Sequence, residues 1–379
     1  MAHNLSYWEK QSFFTADVVI IGSGIVGLNA AITLKQKSSK LSVVVLERGF
    51  LPSGASTKNA GFACFGSISE LIEQEQVCGT DGLHNLIGKR WNGLKKLRNL
   101  LGDKTIGFEN YGGFELFKPQ EHNLANVCVS KLSHYNKLIE DIVQETNVYT
   151  EANQSIDSFG FRGIDILLNN KLESQINTGM MMKALIEKAQ SVGVTIYNNC
   201  QVNEIIEENN RVFVLTNQGK FYAKKVLITT NAFVNELLPN TAVLPGRGQV
   251  VVTSPIKNLK IKGTFHYDKG YYYFRNIDDR ILLGGGRNLD FKTEETTEFG
   301  ETDLVQKSLH QLLKEVILPN TNFTIEHKWS GIMAFGKQLT PIIEEAKPNI
   351  FCAVRCNGMG IAIGSQTGEE AGDMVFERL

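Results

Sequence analysis

Three glycines and one acid carry the clearest chemistry in this chain. Gly22, Gly24 and Gly27 close the apolar run DVVIIGSGIVG over residues 17–27, and a second run, LSVVVLE, ends at Glu47, twenty residues beyond the last glycine. That spacing suits a dinucleotide. The first glycine permits a tight turn, the second lets backbone approach a pyrophosphate, and the third lets a helix pack on a strand. The phosphates would meet the positive end of a helix predicted over residues 25–37, at Ile25 and Val26. Glu47 would accept hydrogen bonds from an adenosine ribose, and its charge disfavours a 2′-phosphate there.

The cradle alone would serve NAD or FAD. Three features favour FAD. The cradle stands at the start of the chain, and a Gly/Ser/Asn-rich loop, RGFLPSGASTKNAGFACFGS, follows Glu47 at once and can wrap a ribityl chain and flavin. The last helix begins at a glycine turn, NGMGIAIGSQTGE, which can aim backbone N–H groups at a ligand. A reduced flavin carries negative charge over N1 and the C2 carbonyl, so a helix N-terminus placed there eases hydride acceptance.

These residues need a scaffold larger than one core, and 379 residues suit two domains. The pattern predicts an α/β fold: a Rossmann-like dinucleotide domain of the glutathione reductase type with an interleaved mixed β-sheet plus helix substrate domain. Residues 1–81, 172–243 and 323–379 are expected in the first and residues 82–171 and 244–322 in the second. Apolar periodicity predicts helices over residues 69–101, 122–146, 180–191, 304–316 and 361–379. Strands are predicted over residues 111–119, 194–197, 202–207, 212–216, 221–223 and 226–229, with a β-rich stretch over 244–286. The run KVLITT is apolar enough for a parallel sheet buried on both faces.

Composition excludes several classes. Lys plus Arg number 39 and Asp plus Glu 40, so nothing draws the chain to nucleic acid or an anionic membrane. The first fourteen residues hold no continuous apolar core, and no run is long enough to span a bilayer. Six scattered cysteines without a CxxC pair point to reduced thiols in a cytoplasmic protein and to no metal site.

The cradle, the loop GASTKNAGF, the segments PGRGQVVVTSP and YYYFRNIDDRILLGGGR, and WSGIMAF with CNGMGIAIGSQTG together resemble the FAD-dependent D-amino acid oxidase superfamily. The likeness is nearest to its glycine oxidase, sarcosine oxidase and gamma-glutamylputrescine oxidase branch. It implies that Gly22, Gly24, Gly27, Glu47 and Arg48 hold the ADP half and that Ser56, Thr57, Lys58, Asn59, Ala60 and Gly61 line the flavin. It implies that Val202 meets the adenine, that Thr230 and Asn231 belong to the cofactor site, and that Gly331 and Asn357, Gly358, Met359, Gly360 and Ile361 lie along the ring. Tyr272 falls where relatives place a substrate-contacting tyrosine and Lys58 where they often have arginine, and these two with Arg355 are the residues expected to take part in the chemistry. Strand alternation sends Tyr271 and Tyr273 to the face opposite Tyr272, so either face could line the pocket.

Two departures from the family bear on substrate. The arginine that clamps a carboxylate after WxG is replaced by Met333 and Ala334, leaving Arg355 or Arg247 as candidates. The cysteine that tethers flavin in sarcosine oxidases is missing from residues 334–340, so the FAD is expected to be non-covalent; Cys64 and Cys356 read as packed thiols. The activity implied is hydride transfer from the α-carbon of a small-molecule amine or amino acid to flavin N5, giving an imine that water hydrolyses. Reoxidation by oxygen would release hydrogen peroxide. Two other readings stay open: a 2-hydroxy acid or glycerol-phosphate type dehydrogenase using Arg247, Arg275 and Arg287, and a non-enzymatic flavin-binding protein.

Overall fold

Strands that are apolar throughout need cover on both faces, and this chain supplies it. The computed structural model describes residues 5–208 and 211–379. Val43–Leu46 is buried at every position and lies in a parallel run ordered Ile350–Val354, Lys220–Ile228, Thr15–Ile21, Val43–Leu46, Thr195–Tyr197. Ile342–Lys347 adds an antiparallel edge, and Val202–Glu208 and Arg211–Thr216 form a ribbon against Lys220–Ile228. The helices Ile25–Lys37 and Gly360–Glu377 cover one face and touch backbone to backbone: a Cβ added at Gly368 would stand 2.5 Å from the carbonyl oxygen of Val26.

The second sheet has eight strands, ordered Ile325–Phe335, Leu244–Thr253, Arg280–Gly285, Tyr272–Ile277, Thr264–Tyr267, Gly113–Phe117, Ile166–Asn170, Tyr149–Glu151. Only the pair Thr264–Tyr267 with Gly113–Phe117 is parallel. One face buries stacked Phe114, Phe265 and Phe274 together with Val305, Leu309 and Leu312 of the helix Asp303–Leu312. The other face carries Val250, Val252, Tyr273 and Leu282, packed on Ala60 and Phe62 of the loop after Glu47. Alternation thereby divides the second sheet between a structural core and a cleft.

Four expectations need correction, and one further strand was not expected. Ile325–Phe335 pairs along its length with Leu244–Thr253, so it belongs to the second sheet although it lies beyond residue 323. Lys220–Ile228 is one strand, because Lys224 reaches out to Asp17 and Lys225 to Asn349 without interrupting the ladder. The helix Ile68–Leu101 is broken at Gly79, whose φ of 70° only glycine adopts at little cost. Leu313–Ile317 is a π-helical turn that ends the helix before it. The edge strand Ile342–Lys347 has no apolar alternation to announce it, since its last four residues are exposed.

Candidate functional site

A cleft of about 540 Å³ runs from the first glycine turn to the second sheet. At the cradle end, Gly22 turns at φ 105° and Gly24 faces Ser56, whose Oγ accepts the Ile25 N–H at 3.0 Å. Gly27 does not line the cleft; a Cβ there would come within 2.1 Å of the Gly22 carbonyl oxygen and 2.6 Å of Thr229 Oγ1. Its place is the contact between helix and strand turn. Glu47 is buried and accepts from Ser23 N–H at 3.2 Å, Ser23 Oγ at 2.7 Å, Gly49 N–H at 3.0 Å and Ser53 Oγ at 2.9 Å. Arg48, stacked 3.9 Å over the Phe233 ring, and Val202 line the wall beside it.

The loop after Glu47 is held from both sides. Asn59 donates to the carbonyls of Ala55 and Ser56 and accepts from Gly61 N–H and Thr178 Oγ1. From the second sheet, the Trp329 indole donates to the Lys58 carbonyl at 2.9 Å, and Arg275 donates to those of Ala60 at 2.5 Å and Ile176 at 3.0 Å. Ser56, Lys58, Asn59, Ala60 and Gly61 all face the cleft. Thr57 does not, because its hydroxyl donates to the Pro52 carbonyl at 2.7 Å and shapes the loop from behind. Opposite, Gly331 sits so close that a Cβ would come 2.8 Å from the Cβ of Lys58.

The third wall is the start of Gly360–Glu377. Asn357 and Gly358 adopt positive φ of 48° and 80°, turning the chain so that Met359, Gly360 and Ile361 present a helix N-terminus to the cleft. Thr230 and Asn231 complete the lining, and Thr230 Oγ1 is buried with no hydrogen-bond partner. Two helix N-termini, a buried acid and an unpartnered hydroxyl along one groove fit a pyrophosphate, a ribose and a flavin ring.

Beyond this groove the cleft is walled by Tyr271, Tyr273, Arg287, Met333 and Phe335. Two of the expected chemical residues are elsewhere. Tyr272 is buried in the core on the opposite face of its strand, its hydroxyl 2.9 Å from Ser308 Oγ, because adjacent strand residues alternate. Arg355 donates to the Thr340 and Ala242 carbonyls and to Gln338, closing the turn behind the cleft, and has no place in its lining. Arg247 is also committed, in a buried ion pair with Glu294 at 2.8 Å. Lys58, the third expected chemical residue, does line the cleft.

Arg287 is different. Its guanidinium lies 4.0 Å from the Phe335 ring centroid, 5.1 Å from that of Phe291 and 5.7 Å from that of Tyr271. Among the described residues none pairs with it or accepts a hydrogen bond from it. Arg287 is half-buried, and that burial lowers its pKa.

Sequence reasoning also missed a buried polar cluster on the cleft wall. His266, on Thr264–Tyr267, faces Glu173 with Nε2 2.6 Å from Oε1 and Glu70 at 3.9 Å. Burial works against the imidazolium, yet Glu173, Glu70 and Glu115 outweigh it and lift the pKa to about 9. Cys64 stands with His266 and Glu173 within 4.8 Å, but burial raises its thiol far above the ordinary range, and its own contact is with Met359 Sδ at 3.7 Å. Cys356 also borders the cleft and is pushed up to about 12 by burial. Neither thiol is activated. Lone acids and a histidine far apart in sequence gave no signal: Glu115 reaches His266 through the pairing of Gly113–Phe117 with Thr264–Tyr267, Glu173 comes from the turn after Ile166–Asn170, and Glu70 from the helix Ile68–Leu101.

The profile of the DAO family, FAD dependent oxidoreductase, matches residues 17–374. The chain belongs to this family. FAD is therefore its cofactor, and the chain is an oxidoreductase. It is 21% identical over 393 residues to the Haemophilus influenzae protein named "Probable oxidoreductase OrdL", a match covering 95% of this chain and 83% of that one. Glycine oxidase of Geobacillus kaustophilus is 23% identical over 374 residues, covering 95% of this chain and 92% of that one. The solved L-proline dehydrogenase from P. horikoshii superposes with a TM-score of 0.75 at 18% identity, covering 96% of this chain and 94% of that one, a likeness of fold. Among the described residues no helix is long and apolar enough to cross a membrane.

Proposed function

We propose that this FAD-dependent enzyme oxidises the C–N bond of an amino acid whose carboxylate is clamped by Arg287. The observation that carries the reading is the unpaired guanidinium at the substrate end of the cleft. A half-buried cation among aromatic rings, with no ion-pair partner among the described residues, suits an anion, and a guanidinium fork matches a carboxylate with two parallel hydrogen bonds. FAD supplies the hydride acceptor and a route to oxygen, yielding an imine for hydrolysis and hydrogen peroxide. The chain contributes orientation: Arg287 fixes one end of the substrate, Tyr271, Tyr273 and Phe335 exclude water around it, and Lys58 with Gly331 sets the cofactor-side wall. Relatives named for glycine and proline oxidation support an amino acid. Six free cysteines support a reducing, cytoplasmic setting.

A glycerol-phosphate substrate is disfavoured, because Arg247 and Arg275, two of the three basic residues it would need, are held by Glu294 and by backbone carbonyls. A 2-hydroxy acid shares the carboxylate and differs at the reacting atom. Anaerobic mixing of the FAD-loaded protein with glycine, sarcosine, D-alanine and L-proline, against lactate and glycolate, separates these cases. Bleaching by an amino acid, with peroxide on admitting air, is the expected result. Bleaching by the hydroxy acids alone contradicts the proposal.

A further inference from the structure

The substrate of the proposed reaction arrives as an ammonium ion, and hydride can leave its α-carbon only after that nitrogen has lost a proton. The cleft wall holds a place for the proton. Glu70 faces the cleft from the helix Ile68–Leu101. Its Oε2 lies 2.9 Å from Ser67 Oγ, and the same hydroxyl lies 3.3 Å from Oε1 of Glu115. Glu115 is 3% exposed, out of reach of solvent, and is also bonded by the Ser69 N–H and hydroxyl.

The hydrogen count is informative. Ser67 has one O–H proton and two carboxylates against it, so one of the two contacts lacks a hydrogen unless a carboxyl carries it. A hydroxyl between two carboxylates is also the shortest relay, accepting from one and donating to the other. The end near the cleft is half-open, whereas the far end is sealed.

We propose that Glu70, Ser67 and Glu115 form a proton relay that takes the ammonium proton of the bound substrate and stores it on Glu115. The step rests on the amino acid reading above. The substrate N–H bond breaks as Glu70 gains the proton; Glu70 passes a proton to Ser67 Oγ while Ser67 gives its own to Glu115. An ammonium and a carboxylate become a neutral amine and a carboxylic acid, with no electrons moved. Burial, partly offset by hydrogen bonds from Ser69, raises the Glu115 pKa to about 7, so the store is available near neutral pH. The groups facing it are Glu70 on its helix, His266 on the adjacent strand, and Cys128 and Tyr149 behind it. His266, held by Glu173 at 2.6 Å, also lies 3.9 Å from Oε2 of Glu70.

The test uses the FAD-loaded parent, Glu115→Gln, Ser67→Ala and Ser67→Thr, with whichever of glycine, sarcosine, D-alanine and L-proline reduces the parent. The parent's anaerobic reduction rate should be level above pH about 7 and fall below it as Glu115 fills. Glu115→Gln and Ser67→Ala should lose about 100-fold at neutral pH and recover toward the ammonium's own pKa, while Ser67→Thr keeps the parental profile. The infrared difference spectrum of the substrate complex should gain a protonated-carboxyl band in the parent that Glu115→Gln lacks. If Glu115→Gln does not retain FAD, Glu70→Gln carries the same comparison. Superimposable profiles in parent and variants, with no carboxyl band, overturn the relay while leaving the amino acid reading intact. A parent left oxidised by every amino acid at every pH overturns both.

Discussion

The two ends of the cleft are built on different principles. At the cradle the ligand meets backbone: Gly22 and Gly24 at a turn, two helix N-termini, and a loop whose carbonyls are tied down by Trp329 and Arg275. At the end proposed for the substrate the lining is side chains from distant segments, Arg287 among aromatic rings and Glu70 beside His266. Backbone sites are defined by spacing within one stretch of sequence. Side-chain sites are defined by which strands pair.

The sharpest way to break the contrast is at the cradle. Gly27→Val puts a branched side chain where a Cβ already falls 2.1 Å from the Gly22 carbonyl oxygen, so the protein should be purified colourless and fail to take up FAD. Yellow protein with unchanged FAD content would show that the helix does not need that close approach.

A smaller effect separates the ends by pH. His266 has a folded pKa of about 9 against an ordinary 6.5, so its pairing with Glu173 stabilises the fold fully below about 6.5 and is lost as pH rises through about 9. The melting temperature of the FAD-loaded protein should fall across that upper range, and His266→Asn should remove the fall. A parent melting curve that does not move between neutral pH and 10 counts against the charged pair.

The smallest effect concerns the misassigned tyrosine. Tyr272→Phe should cost roughly 1 kcal/mol by removing the bond to Ser308, with kcat and KM unchanged. A loss of activity without loss of stability would return Tyr272 to the cleft.

Legibility in the sequence follows the same division. The cradle helix was readable to its ends, residues 25 to 37, because glycine spacing and apolar periodicity are local. The cofactor loop and the glycine turn before the last helix were readable for the same reason. Tyr272 was placed by likeness to relatives, and the alternation of its strand placed it on the buried face. Arg355 looked available only because its acceptors, the carbonyls of Thr340 and Ala242, carry no sequence signal. Of the three arginines a phosphate would need, Arg247 is held in an ion pair and Arg275 by carbonyls, and Arg287 is the one that lines the cleft. Ile325–Phe335 lies across the expected boundary because sheet membership depends on a partner 72 to 91 residues away, from Thr253↔Ile325 to Leu244↔Phe335.

In the proposed reaction Arg287 holds the carboxylate of an amino acid against the cofactor. It is tested by measuring anaerobic reduction of parent and Arg287→Met by an amino acid and by the corresponding amine without its carboxylate. The account predicts that the variant loses about 100-fold in apparent affinity for the amino acid, roughly 3 kcal/mol, that the parent handles the bare amine as poorly as the variant does, and that FAD content stays constant. Equal reduction of the amino acid by parent and variant, or a parent that prefers the bare amine, would contradict it.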